Sequence, residues 1–411
     1  MKQDTSMLLV LPVCYRKVGN HLLLEAQACN GIERWADNFS SLVVACPVVP
    51  EDRVEADSSA VWKDTREIAC RDRVEFVPLP WAFGVGTCLR TYRATRGLLA
   101  GLIARSRYLQ FGLWGLVGDW ASVGALEAIK QRREYSLHVD IVNHVAVKRA
   151  ARAHGLKRRL RAGIEAPLMK QLHAHLARHC ALGLWHGYDC YQVYCAWCKN
   201  NHNVHDVHTK PEDCISPEAL EAKARDAESA SEVRVCYAGR ATAVKGPLDW
   251  VRAVAHARTM GANLRATWIG DGPMLEDMRQ LAGRLALGEY FDAPGFVSDR
   301  AVVLDVLRGS HIMPFAHLTP ESPRCLLEAL LSGTPIVGYD NAYAKDLVDG
   351  HGGGRFVPLE NWKALGEELA KLVADRAALA ALIRAAGKNG ARFNDVQVFG
   401  ERSNLVKKYL P

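Results

Sequence analysis

The stretch from Thr319 to Asp340 reads TPESPRCLLEALLSGTPIVGYD and carries two carboxylates, Glu321 and Glu328, around the start of a helix. Ser322 followed by Pro323 is a start signal, with the hydroxyl as N-cap and the proline at the first helical position. Gly333 is a stop signal, so a helix is predicted over 323–332. The apolar run behind it, PIVGYD, reads as a buried strand. Glu321 and Glu328 stand seven positions apart, nearly two turns, which puts them on one face roughly 10 Å apart along the axis. That separation suits an extended ligand. Glu321 would meet a sugar and Glu328 the hydroxyls of a ribose, with Ser322, Pro323 and Arg324 at the helix N-terminus that points toward phosphate. The plainer alternative is one acid favouring the helix dipole and one ordinary exposed glutamate.

Two glycine-bearing turns precede this stretch. GRATAVKGP, Gly239 to Pro247, follows a predicted strand, VRVCYAGR, and opens a predicted helix. Such a turn lets backbone N–H groups approach an anion, and Arg240 and Lys245 add two cations, one a planar fork and one a point charge. Together they suit a pyrophosphate; a basic surface loop is the alternative. IGDGPM, Ile269 to Met274, stands at the exit of the next strand, where Gly270 and Gly272 permit a tight turn. Turn chemistry alone explains it.

The whole chain sets the frame for these motifs. Its 411 residues are 49% apolar and 24% charged, a globular composition too long for one core, so two domains are expected. The twelve cysteines are scattered among strand-like and helix-like segments, which reads as reduced thiols in a cytoplasm. The opening MKQDTSMLLVLPVCY has Asp4 ahead of a short apolar run and reads as a first strand, not a signal peptide. No stretch approaches the roughly 18 to 20 apolar residues of a spanning helix. Strand-like runs at 7–13, 41–49, 74–80, 108–113 and 135–142 alternate with helical stretches that include 21–38 and 119–132. The alternation restarts at 233–240, 263–270, 290–297, 310–315 and 335–340, which is the pattern of two doubly wound α/β domains. The polar, Ala/Glu-rich ISPEALEAKARDAESASEV marks the junction.

In this order, GR-x4-KG, GDGP and ESPRCLLEALLSGTPIVG resemble the carboxyl-terminal donor domain of the retaining glycosyltransferases of family 4. Those enzymes have the GT-B fold: two Rossmann-like doubly wound domains facing a central cleft, with a C-terminal helix crossing back to the first. The resemblance covers about 233–375, and the first half only in architecture. It implies an acceptor-binding domain at 1–216, a linker at 217–231, a donor-binding domain at 232–392 and the returning helix at 393–411. It also implies that Arg240 and Lys245 hold the donor pyrophosphate, with Gly239, Gly270 and Gly272 shaping the site, while Glu321 faces the donor sugar and Glu328 the ribose. The catalytic set is then Glu321, Arg240 and Lys245. The donor would be a UDP- or GDP-sugar, with no metal or other cofactor required. One departure is visible: the family usually places seven residues between its two glutamates, and this chain has six.

In the first half, CYRKVGN places Gly19 in the loop where such enzymes approach the donor phosphates, and turn chemistry alone accounts for a glycine there equally well. The histidine that many members carry after a middle strand is missing from QFGLWGLVGDW. Asp119, Asp140 and His186 remain as candidates for acceptor contact. The segment CYQVYCAWCKNNHNVHDVH offers Cys190, Cys195, Cys198, His202, His205 and His208 as potential zinc ligands. With one CxxC and no finger spacing, no metal site is expected. From Lys148 to Arg161, in KRAARAHGLKRRLR, seven bases occur without an acid and account for most of the net charge of +7. Such a run fits an anionic membrane surface or a phosphorylated substrate as well as a solvated helix face. Nucleic acid is not expected, since interleaved aromatics are missing. The expectation is a cytoplasmic, metal-independent, retaining transferase, peripheral on the inner face of the membrane. It would move a sugar to a hydroxyl of a cell-surface polysaccharide or lipid-linked glycan. Transfer to a small soluble acceptor, nucleotide-sugar binding or epimerisation in the same fold, and a zinc-stabilised interaction module are the alternatives.

Overall fold

The computed structural model describes residues 5–51, 61–152, 155–318 and 323–410. The chain divides into two compact units, one comprising Met1–His208 with Val396–Pro411 and the other Thr209–Asp395.

The first unit runs β1 (Met7–Val10), β2 (Tyr15–Val18), β3 (His21–Glu25), α1 (Ala26–Asn38), β4 (Leu42–Val49), β5 (Trp62–Asp64), β6 (Val74–Leu79), α2 (Val85–Arg105) and β7 (Tyr108–Gly112). It continues with α3 (Trp120–Lys130), β8 (Ser136–Val139), α4 (Asn143–Arg152), α5 (Leu156–His179), β9 (Leu182–His186), α6 (Gly187–Tyr194) and β10 (Asn201–Val204). Seven parallel strands lie in the order β6-β4-β1-β7-β8-β9-β10. Period-two alternation along β1 divides its side chains between two cores. Leu8 and Val10 join the helices α2 and α3, and Met7 and Leu9 join α1 on the other face. That is why the run MLLV has no polar position.

Residues 21–25, expected to begin a helix, form β3 instead. The loop Gly19-Asn20 turns the chain with Gly19 at φ +58° and folds His21–Leu23 back antiparallel on Arg16–Val18. A glycine at the first position of a two-residue turn is a strong hairpin device, and it overrides the helical period of LLLEAQ. The helix begins only at Ala26.

The second unit runs α7 (Pro217–Ser229), β11 (Val233–Ala238), α8 (Pro247–Thr259), β12 (Leu264–Ile269), α9 (Leu275–Arg284), β13 (Phe291–Gly295), α10 (Arg300–Gly309) and β14 (Met313–Phe315). It continues with α11 (Arg324–Leu331), β15 (Ile336–Tyr339), α12 (Ala342–Val348), β16 (Gly354–Val357), α13 (Trp362–Ala374) and α14 (Arg376–Gly390). Two three-stranded sheets meet where His311 N donates to Arg234 O at 2.7 Å and Cys236 N to Ile312 O at 3.1 Å. The result is the parallel order β13-β12-β11-β14-β15-β16. Both units therefore share the 3-2-1-4-5-6 winding, which reverses direction beside the first strand.

The segment 217–231, expected as a linker, is mostly the helix α7 and is built into the second unit. Lys223 is buried and donates to Leu307 O at 3.1 Å, Ser332 O at 3.0 Å and Thr334 Oγ1 at 2.6 Å. Arg384 of α14 pairs with Glu221 at 2.6 Å. The chain passes between units at 208–209 and again at 395–396. The last helix, α15 (Asp395–Tyr409), packs on the first unit. Its Phe399 meets Trp35 edge-on at 5.4 Å, and its Val406 joins the core beside α1. Among the described residues, no helix is long and apolar enough to cross a membrane.

Candidate functional site

In a doubly wound sheet the strands on either side of the reversal send their connections to opposite faces, leaving a gap at their carboxyl ends. In the second unit that gap lies between β11 and β14, and the loops leaving those strands carry most of the sequence-marked residues. The loop from β11 to α8 contains Arg240 and a short 3-10 turn at Ala243–Lys245. Gly246 ends that turn at φ +61°, where a Cβ would lie 2.1 Å from Ala316 O. Leu318 N donates to Val244 O at 2.9 Å, so the loops leaving β11 and β14 are fastened together. The loop after β12 locks in from the other side. Ala241 N donates to Asp271 O at 2.9 Å and Met274 N to Ala241 O at 3.0 Å. Gly270, at φ +140°, lies so near Gly239 that a Cβ would meet its carbonyl oxygen at 2.1 Å. The glycines are what let three loops come this close.

Two helices begin at this edge. α8 starts with Pro247 after Gly246, which has no side chain to cap it. α11 starts after Pro323, likewise without a side-chain cap among the described residues. Their first backbone N–H groups are donors with no partner inside the helix, and the macrodipole favours an anion there. The Arg240 side chain is exposed and makes no hydrogen bond or ion pair among the described residues, its carbonyl accepting from Thr242 N at 2.9 Å, while Lys245 is half-buried. Behind them His317 is buried, its Nε2 sharing a 2.7 Å hydrogen bond with Tyr237 Oη. Burial first, and the Lys245 charge second, hold this imidazole well below its usual pKa. It is therefore a neutral group beneath a cationic loop. Cys325, in the first turn of α11, places its Sγ 3.9 Å from the same Tyr237 oxygen.

Glu321 and Ser322 lie outside the described residues. Pro323 is the N-cap residue of α11 and not its first helical residue, since ψ of 120° is extended. Arg324 is exposed at the first helical position. The stop at Gly333 is a Schellman turn: Gly333, at φ +65°, donates to Leu330 O at 2.9 Å, and Thr334 N to Ala329 O at 2.8 Å. Glu328 is held by an ion pair that the sequence does not announce. Its Oε1 accepts from Arg300 Nη1 at 2.8 Å, and the same guanidinium reaches Asp213 at 3.3 Å. Burial works against the Arg300 charge, but Glu328 and Asp213 outweigh it and raise its pKa.

Arg300 therefore positions Glu328. On the expectation that Glu328 meets the ribose of a nucleotide, Arg300→Met should weaken nucleotide binding about fivefold, the worth of a half-exposed pair, with Arg300→Lys recovering part of it. Titration with UDP checks this. A purely structural role would instead lower the melting temperature of the free protein and leave affinity unchanged.

The first-unit candidates are dispersed. Gly19 is accounted for by the β2–β3 hairpin, with nothing within 4 Å of the position of a Cβ. Asp119 is the N-cap of α3: its carboxylate accepts from Ala121 N at 3.1 Å, Ser122 Oγ at 2.6 Å, Trp114 N at 3.2 Å and Gly115 N at 3.3 Å. A carboxylate so fully engaged holds its own loop, not an acceptor. Asp140 is exposed at the end of β8, 3.3 Å from His138 Nε2. His186, buried at the end of β9, accepts from Asp206 N through Nδ1 at 2.8 Å, so its proton is on Nε2. Burial lowers its pKa to about 4, leaving it a neutral donor. As for the possible zinc ligands, Cys198 lies 3.5 Å from Cys180, and Cys195 points at Gln192 O. Among the described residues no cluster of three or more His, Cys, Asp or Glu is placed to hold a metal ion.

Residues 220–389 match the family Glycosyl transferases group 1, so the second unit carries a group 1 glycosyl transferase domain. Within the chain, 161 residues are 32% identical to the 2-deoxystreptamine N-acetyl-D-glucosaminyltransferase of Streptomyces fradiae, covering 37% of this chain and 32% of that protein. The chain thus matches about a third of the length of that curated relative. Among solved structures, HepE of Anabaena in complex with UDP superposes with a TM-score of 0.63 at 15% identity, over 98% of this chain and 100% of that one. The lipopolysaccharide outer core galactosyltransferase WaaB gives a TM-score of 0.63 at 12% identity, over 98% of this chain and 99% of that one. The fold is GT-B.

Proposed function

We propose that the protein is a retaining glycosyltransferase of family 4 that transfers a sugar from a nucleotide-sugar donor to a hydroxyl without a metal. What carries the reading is the convergence, at the β11/β14 reversal, of two helix N-termini, neither with a side-chain cap among the described residues, with the Arg240/Lys245 loop. Arg240 and Lys245 take the pyrophosphate, Glu328 the ribose and Glu321 the donor sugar. The bond from the sugar's anomeric carbon to the phosphate oxygen breaks, and the acceptor oxygen bonds to that carbon on the same face. The acceptor's proton passes to the departing phosphate. The two cations and the helix N-termini stabilise the charge as it develops, which is the part a divalent ion plays elsewhere.

The second unit is the donor domain and the first the acceptor domain, with the acceptor a cell-surface glycan or its lipid-linked precursor. On this reading the bases from Lys148 to Arg161 would meet the anionic membrane surface that carries such an acceptor. A small soluble acceptor is the second reading, favoured by the relative whose name specifies 2-deoxystreptamine.

The test is a thermal-shift series with UDP, GDP, ADP and TDP in the presence of EDTA. One nucleotide is expected to stabilise the protein, by about 2.7 kcal/mol at a hundredfold excess over its Kd. Incubation of the corresponding nucleotide sugar with glycan acceptors should then release the nucleoside diphosphate. Stabilisation only when divalent metal is added back overturns metal independence, and no stabilisation by any nucleotide overturns the donor site.

A further inference from the structure

Helix α5 is apolar on two opposite sides. One side carries Ala162, Ala166, Met169 and His173, all buried against the first unit. The other carries Leu156, Leu160, Ile164 and Leu168, which remain between 49 and 72% exposed. Residues four apart advance about 40° around a helix, so these four fall within an arc of about 120°, in a stripe about 18 Å long. The exposed side of a globular protein's surface helix is ordinarily its polar side. Here the buried contacts are mostly small side chains, and the large aliphatic ones face outward.

The stripe is flanked by exposed Lys157, Arg158, Arg159, Arg161 and Lys170. Between residues 141 and 171 there is a single acid, Glu165, and it pairs with Arg161 at 3.4 Å. A second copy of the chain is a poor occupant, because a two-fold contact along this helix would set one row of bases against another. An apolar strip between bases fits a surface that is apolar within and anionic at its rim.

We propose that α5 is an interfacial helix whose Leu156, Leu160, Ile164 and Leu168 enter the acyl boundary of an anionic bilayer leaflet while its flanking bases meet the lipid phosphates. This is more than electrostatic contact by a basic run. Attraction of bases to headgroups is screened by salt, whereas burial of aliphatic side chains is not. The inference stands independently of the donor chemistry.

Flotation of the full chain with phosphatidylcholine vesicles, with and without phosphatidylglycerol, at low and high salt tests it. The wild type is expected to float with the anionic vesicles and to stay bound at high salt. Leu160→Asp/Ile164→Asp should weaken partition by about tenfold or more at either salt, and Leu168→Asp by less. Arg158→Gln/Arg159→Gln should lose only the part that salt removes. Both stripe positions are exposed, so the melting temperature and any nucleotide-induced shift should be unchanged. That shift separates failure here from failure of the donor site. The proposal is overturned if the wild type does not float, if salt strips it entirely, or if the double variant floats as well as the wild type. It is equally overturned if light scattering shows the wild type self-associating through this face, with no vesicle binding.

Discussion

Replacing Lys245 by alanine is expected to lower the rate of sugar transfer by roughly 10²- to 10³-fold, the loss typical of removing one preorganised donor to a developing negative charge. The lysine and Arg240 lie five positions apart in the same loop but differ in setting. Arg240 is exposed, whereas Lys245 is half-buried, so solvent screens its charge less. Its backbone is fixed as well. Lys245 N donates to Thr242 O at 2.9 Å, and the preceding carbonyl accepts from Leu318 N at 2.9 Å. On the proposed reading, the charge therefore needs little reorganisation as the nucleoside diphosphate leaves. Its field reaches His317, which it helps to hold neutral, so the cation is not shared with a second one beneath it. Arg240→Ala should cost less, and Lys245→Arg should not restore full activity, because a bulkier planar fork cannot occupy the position of a point charge. Transfer assays under saturating donor, with UDP affinity measured separately, check the ranking. Activity of Lys245→Ala within a few-fold of the wild type would remove this residue from the catalytic set.

The glycine turns and helix starts of the candidate site were legible because their parts are local. A strand, a glycine turn and a helix start are neighbours in the chain, so Gly239 to Pro247 and Pro323 to Gly333 announce themselves in sequence. Arg300 does not. It meets Glu328 because it opens α10, the crossover helix that packs beside α11, and twenty-eight positions separate the two. His317 and Tyr237 were hidden for the same reason, and their contact spans eighty positions. Other features were present in the sequence but masked by a competing signal. Gly19-Asn20 is a hairpin turn, yet LLLEAQ reads as helix. Ser216-Pro217 is a helix start, with the Ser216 hydroxyl accepting from Ala219 N at 3.2 Å, yet the polar composition that follows reads as linker. Asp119 ahead of Trp120 is a cap signal that resembles a ligand, because both uses require a carboxylate at a strand exit. In the first unit, the outward apolar stripe of α5 escapes a periodicity reading, since apolar residues on opposite sides of a helix cancel.

Gly246→Ala and Gly163→Ala make the same chemical change with opposite expected signs. Gly163 lies within α5 with nothing within 4 Å of a new Cβ. Alanine there gains helix propensity and loses unfolded-chain freedom, for a stabilisation of about 0.5 to 1 kcal/mol. Gly246 sits at φ +61° and ψ +43°, where an L-residue loses about 1 to 2 kcal/mol on conformation alone. Its Cβ would also lie 2.1 Å from Ala316 O, and backbone cannot yield as a flexible side chain would. The loops after β11 and β14 must separate, which strains the Leu318–Val244 hydrogen bond and moves Lys245. The total expected loss is about 3 kcal/mol or more, at the high end for a single added methyl. Denaturant unfolding of the two variants against the wild type measures it, and the nucleotide-induced shift reports the local effect. If Gly246→Ala unfolds like the wild type and keeps its nucleotide response, the two loops are not fastened as described. If stability falls while the response to nucleotide survives, the fastening supports the fold without positioning the cations. Loss of both is the expected result, because one glycine closes the gap between β11 and β14 and sets the loop that carries Lys245.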